Sequence, residues 1–141
     1  MADRSPRILY VIKQVELATR ARLEEIARPH GITALQYTAL TVLQQQSEPI
    51  SSAALARLSF VTAQTMSDMV GALERRGLVR RDADPGNRRR LLITLTDAGV
   101  ALLDDLDPRV DEIEADLLGG MSAADRSRFT QLLARSRQNL A

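Results

Sequence analysis

Seven arginines fall within 16 residues, at positions 75, 76, 80, 81, 88, 89 and 90, against Asp82 and Asp84, a local charge of +5. Guanidinium groups are planar and permanently charged, and they present forked donors that match phosphate oxygens. A cluster of this density suits a polyanion such as nucleic acid; the competing reading is an idle, solvated surface. The segment 97–116 has the opposite character, with eight acids against Arg109, or −7, and the remaining residues sum to +3. The total of +1 in 141 residues therefore hides two concentrated patches.

Other chemistries lack their residues. Cysteine is absent, which excludes disulfides, thiolate metal sites and thiol redox switches. His30 is the only histidine, so a local hydrogen bond is favoured for it over metal ligation, and no metal site is expected. No nucleophile and base are paired and no glycine-rich phosphate loop is present, so an enzyme is not expected, nor is a cofactor. The acids of 104–116 lack the turn glycine and terminal glutamate of a calcium loop and read as a solvated helix face. Aromatic residues make up 3%, too few for a base-stacking surface. No apolar run approaches the roughly 20 residues of a membrane span. The N-terminal segment has no continuous apolar stretch of signal-peptide type, so a cytoplasmic location without membrane partners is expected.

The elements that position the arginines follow from periodicity and punctuation. Apolar residues at Ile8, Val11/Ile12, Val15, Ala18, Leu23 and Ile26 predict a helix from about Pro6 to Ala27, stopped by Pro29 and Gly31. Thr33 is placed to cap a second helix with Leu35, Ala39, Leu40 and Leu43 on one face, ending before Pro49. Ser51 or Ser52 caps a short third helix carrying Leu55 and Leu58. Thr62 caps a fourth, with Met66, Met69/Val70 and Leu73 as core-filling residues and Gly77 beyond its end. Two short apolar runs, 78–82 and 91–95, flank Asp84-Pro85-Gly86-Asn87 and predict a hairpin whose loop holds Arg88, Arg89 and Arg90. Thr96 caps the next helix, in which Leu106, Val110, Ile113 and Leu117 form a heptad-like seam. Pro108 interrupts that seam and predicts a bend, or two helices meeting near Asp107. Gly119-Gly120 ends it, and Ser122 opens a last helix with Phe129, Leu132 and Leu133 on one face.

The resulting fold class is mainly α with a small β-hairpin wing: a winged helix-turn-helix lobe at 33–96, with flanking helices at 1–30 and 97–141 that serve dimerisation in a single 1–141 chain. The fourth helix is of a size to enter the DNA major groove, and an Arg at the hairpin tip is attracted to the minor groove. Gln64, Thr65, Ser67, Asp68 and Arg75 lie off its apolar stripe, with Gln64, Thr65 and Asp68 in the first two turns. Asp68 could accept from cytosine, or orient Arg75 or a wing arginine.

The segments His30–Leu40, Thr62–Val79 and Asp84–Gly99 resemble the MarR family of transcriptional regulators, and the resemblance extends over essentially the whole chain. The wing is its most specific part: Asn87-x-Arg89 followed by Leu95-Thr96 stands where the family has Asp-x-Arg and Leu-Thr. The resemblance implies that Arg89 enters the minor groove, with Asn87 in place of a bracing Asp, and that Arg88 and Arg90 contact phosphates. Arg75 and Arg76 are expected to neutralise further phosphates. It also implies a homodimer joined through the first, last and part of the fifth helices, a pseudo-palindromic double-stranded DNA operator, and repression relieved by a small phenolic or anionic ligand. The ligand pocket would lie near His30 and Tyr37, although packing against the first helix is the simpler reading of Tyr37. The peroxide-sensing mechanism of the family needs a cysteine that this chain lacks. An alternative is a winged-helix dimer that binds protein partners without sensing a ligand.

Overall fold

The helix signals are realised close to where they occur in the sequence. The structure, a computed structural model, describes residues 4–141. Helix α1 spans Ile8–Ala27 and runs into a single 3-10 turn, Arg28–His30, closed by Gly31 in the left-handed region at φ 74. Helix α2 (Ala34–Gln45) opens with a full capping box. The Gln36 N–H donates to Thr33 Oγ1 at 3.1 Å, and the Thr33 N–H donates to Gln36 Oε1 at 3.0 Å. Ser51 caps α3 (Ser52–Leu58), and Thr62 caps α4 (Ala63–Arg75).

The wing is larger than the sequence predicts. Strand β1 (Ile50–Ser51) pairs with β3 (Asn87–Leu95), which pairs with β2 (Val79–Asp84), giving an antiparallel sheet of order β1-β3-β2. Arg88, Arg89 and Arg90 therefore lie within β3 rather than in a loop. Ala83 faces Leu91, whereas Asp84 faces Asn87 across the turn. The ladder consequently shifts at this point, and the three arginines occupy the extra length of β3. Such an irregularity re-aims side chains at the tip of a hairpin.

The chain divides into two compact units, Met1–Pro108 and Arg109–Ala141. In the first, Leu40, Leu55, Met66, Val70, Leu73, Ile93, Leu103 and Leu106 form a core in which each is almost fully buried. Leu58, expected to face inward, is half-exposed, and so is Leu35. Helix α5 (Asp97–Leu117) is one helix with Pro108 inside it, so the alternative of two separate helices does not occur. Its start approaches the sheet closely at Gly99, where a Cβ would lie 2.3 Å from the Leu78 carbonyl oxygen. The second unit holds the end of α5 and α6 (Ala123–Leu140), which is capped by Ser122 and has no buried residue. Leu132 and Leu133 are half-exposed there.

Candidate nucleic-acid interface

The exposed face of α4 begins at its cap. Thr62 Oγ1 accepts from the Thr65 N–H at 3.1 Å and donates to Thr65 Oγ1 at 2.9 Å. One turn on, Gln64 Nε2 donates to Asp68 Oδ1 at 3.2 Å. Asp68 thus accepts from Gln64 and makes no ion pair with Arg75 or a wing arginine among the described residues. Gln64, Thr65, Ser67, Asp68 and Arg75 are all exposed. A glutamine amide held this way can offer paired donor and acceptor groups to a base edge.

At the wing tip, Asp84 Oδ1 accepts from the Gly86 N–H at 2.9 Å, and Asn87 Oδ1 accepts from the Arg89 N–H at 3.2 Å. Asn87 fixes the backbone of Arg89, not its guanidinium. Arg88, Arg89 and Arg90 are exposed, and among the described residues no side-chain partner neutralises them.

The other arginines of the cluster are engaged. Arg76, expected at phosphates, donates from its two terminal nitrogens to the carbonyls of Gly31 and His30, each at 2.7 Å. This clamp ties the end of α4 to the junction of α1 and α2. Arg80 pairs with Asp82 at 2.8 Å. Arg81 pairs with Glu74 at 2.8 Å and also donates its N–H to that carboxylate, joining α4 to β2. The hydrogen bond from Arg81 holds the Glu74 carboxyl below its ordinary value, and Glu74 raises Arg81 in turn. Sequence reasoning treated these seven side chains as one patch. Charge spacing alone does not show which of them turn back onto the fold.

A cavity of about 620 Å³ lies against α1, α2 and the turn between α3 and α4. Glu16, Arg20 and Glu24 contribute from α1, Leu35 and Thr38 from α2, and Ser59 and Phe60 from the turn. Arg20 pairs with Glu16 one turn away, and this bond lowers the Glu16 carboxyl. Glu24 Oε1 accepts from the Ala34 N–H at 3.0 Å, at the start of α2. Neither His30 nor Tyr37 lines this cavity. His30 instead supplies its carbonyl to Arg76, and Tyr37 packs against the core. No group of metal-binding side chains occurs among the described residues.

A capped helix presenting polar side chains, followed by a wing bearing three unpaired arginines, defines a winged helix-turn-helix protein. The MarR family model matches residues 30–90. An HTH-type transcriptional repressor of Mycobacterium tuberculosis is 32% identical over 133 residues, covering 94% of this chain and 94% of the relative. A probable transcriptional regulator of Pseudomonas aeruginosa is 32% identical with a TM-score of 0.78, over 92% of this chain and 96% of that one. The structure of CouR from Rhodococcus jostii, bound to p-coumaroyl-CoA, is 26% identical with a TM-score of 0.79, over 89% of this chain and 88% of that one. The chain belongs to the MarR family. It is a DNA-binding transcriptional regulator. No described helix is long and apolar enough to cross a membrane.

Proposed function

We propose that this regulator is a homodimeric, cytoplasmic repressor that binds a pseudo-palindromic operator and is released by a small phenolic or anionic ligand. The observation that carries the DNA contact is the disposition of charge. Arg75, Arg88, Arg89 and Arg90 are exposed with no side-chain ion pair or hydrogen bond among the described residues, whereas Arg76, Arg80 and Arg81 each bond a group of the fold. In this reading 33–96 is the DNA-binding lobe. Gln64, Thr65, Ser67 and Asp68 approach base edges in the major groove. Arg89 enters the minor groove, while Arg75, Arg88 and Arg90 meet phosphates beside Asn87.

Dimerisation through 1–30 and 97–141 is supported by the apolar residues these helices leave uncovered. Ile8 is 74% exposed, Leu9 72% and Leu140 87%. Apolar side chains left uncovered to this extent call for an apolar partner. Two-fold symmetry then spaces the half-sites about one helical turn apart. The cavity beside α1 is the place where such a ligand would act, by favouring a state that does not bind DNA. CouR, a structural relative, holds p-coumaroyl-CoA.

The test is selection of bound genomic fragments, followed by anisotropy titration of the recovered duplex. Arg89→Ala should weaken operator binding by about 1–3 kcal/mol and leave the melting temperature unchanged, since its side chain has no partner to lose. Unchanged affinity removes Arg89 from the interface.

A further inference from the structure

Side-chain bonds from three other elements converge on the C-terminal end of α4. Arg76 donates to the carbonyls of His30 and Gly31, at 2.7 Å each, in the turn that joins α1 to α2. Thr96 Oγ1 donates to the Gly77 carbonyl at 2.5 Å and accepts from the Gly99 N–H at 3.2 Å, so the cap of α5 is also a tie to α4. Arg81 reaches Glu74 from β2 at 2.8 Å. At the other end of α4 the pattern differs. The side-chain bonds of Thr62, Gln64 and Thr65 stay within the helix and its cap, and Met66 anchors only the inner face in the core.

Arg76 sits in a shaped seat. Gly31 has φ 74, and a Cβ on it would lie 3.2 Å from Arg76 Nη1 and 3.3 Å from Cζ. Glycine therefore serves twice there, for the left-handed turn and for the close approach of the guanidinium. A planar fork bonded to two successive carbonyls fixes direction as well as distance, which a single point charge does not. Beside it Glu24 of α1 accepts from the Ala34 N–H at 3.0 Å, so the junction that receives Arg76 is itself braced. Helix α4 has 13 residues, a length of about 20 Å. A swing of about 10° about its tied end would move the base-reading end by about 3.5 Å, roughly one base-pair step.

We propose that Arg76 is a positioning residue that sets the half-site spacing the regulator accepts. It holds α4 at a fixed angle to α1, one of the helices assigned to dimerisation, and so fixes the separation of the two recognition helices. It acts through the fold and not by contact with DNA. This rests on the reading of a homodimer on a pseudo-palindromic operator.

The test uses the full-length protein and its selected operator, with versions of that duplex carrying one base pair more or one fewer between the half-sites. A further duplex has one half-site scrambled. Affinities come from fluorescence anisotropy well below the melting temperature of each variant. The unsubstituted protein should bind the altered spacings at least about tenfold more weakly than the selected one. Arg76→Ala should compress that ratio to about threefold or less, while its affinity for the single half-site stays within about twofold. Arg76→Lys, which keeps the charge without the fork, should give an intermediate ratio. A partly unfolded protein loses affinity for every duplex alike, so a purely structural role leaves the ratio unmoved. An Arg76→Ala protein that keeps the full ratio therefore overturns the proposal. Equal loss on all duplexes, the single half-site included, also overturns it, because Arg76 then serves stability or a phosphate contact alone. If the selected fragments carry no two-fold related half-sites, or the protein sediments as a monomer, the homodimer reading fails and the proposal with it.

Discussion

Replacing single arginines of the cluster separates those that meet DNA from those that hold the fold. Arg88 has no partner among the described residues, and Arg76 gives two bonds of 2.7 Å to backbone carbonyls. Each phosphate neutralised contributes about 0.9 to the slope of log affinity against log salt. Arg88→Ala, acting once per protomer of a dimer, should therefore lower the slope by about 1.8. Between 50 and 200 mM salt that is roughly a tenfold smaller loss of affinity. Arg76→Ala should leave the slope unaltered and act on stability. Hydrogen bonds from a charged donor contribute about 1.5–3 kcal/mol when well shielded, but Arg76 is exposed, so the pair is discounted to about 1–2 kcal/mol. In a chain of this size that lowers the melting temperature by roughly 4–8 °C. The measurements are anisotropy titrations at four salt concentrations and thermal unfolding followed by circular dichroism. The reasoning is refuted if Arg76→Ala reduces the salt slope as much as Arg88→Ala while leaving the melting temperature where it was.

Three further outcomes follow from local geometry. Gly99→Ala places a methyl 2.3 Å from the Leu78 carbonyl oxygen and 3.0 Å from Leu95 Cδ2, so the start of α5 must shift; a loss of about 2–3 kcal/mol in urea unfolding is expected. Glu74 is depressed by Arg81, so its contribution to stability is complete above the ordinary value of 4.5 and is lost as pH falls through the lower folded value. Glu74→Gln should flatten that acid limb of a stability–pH profile and leave the limb above pH 5 parallel to the original. Asn87→Asp puts a negative charge beside Arg88–Arg90 and should weaken non-specific duplex binding at low salt. If the new carboxylate also braces the Arg89 guanidinium, the ratio of specific to non-specific affinity rises, which competition with random-sequence DNA measures.

The helices were legible because their signals are local. Thr33, Thr62, Thr96 and Ser122 each mark a helix start that a side-chain bond or helix boundary bears out. The third strand was not legible, since Ile50–Ser51 is too short to show a period and pairs with residues more than forty positions away. The length of β3 was missed for a related reason: Arg88–Arg90 have no strand propensity pattern, and they are held by the Asp84–Asn87 closure of the hairpin. The apolar face of α1 was readable from its spacing, and Ile8, Leu9 and Ile12 on it stand exposed in the single chain.

The candidate site divides along the same line. The positions of Gln64, Asp68 and Arg89 follow from helix and hairpin periodicity, whereas their partners do not. Asp68 could have served a base, Arg75 or the wing, and it holds Gln64 because four residues along a helix bring the two side chains to one face. Asn87 stands where the resemblance implies a bracing Asp, and its side-chain carbonyl meets the Arg89 backbone N–H. That exchange has a functional consequence. An aspartate bracing the arginine would cancel part of the tip's charge, and the asparagine fixes the same backbone without cancelling any. The wing of this chain therefore keeps three positive charges without an ion-pair partner at a bulge, and the long acidic helix that follows β3 supplies the balance that makes the total look neutral.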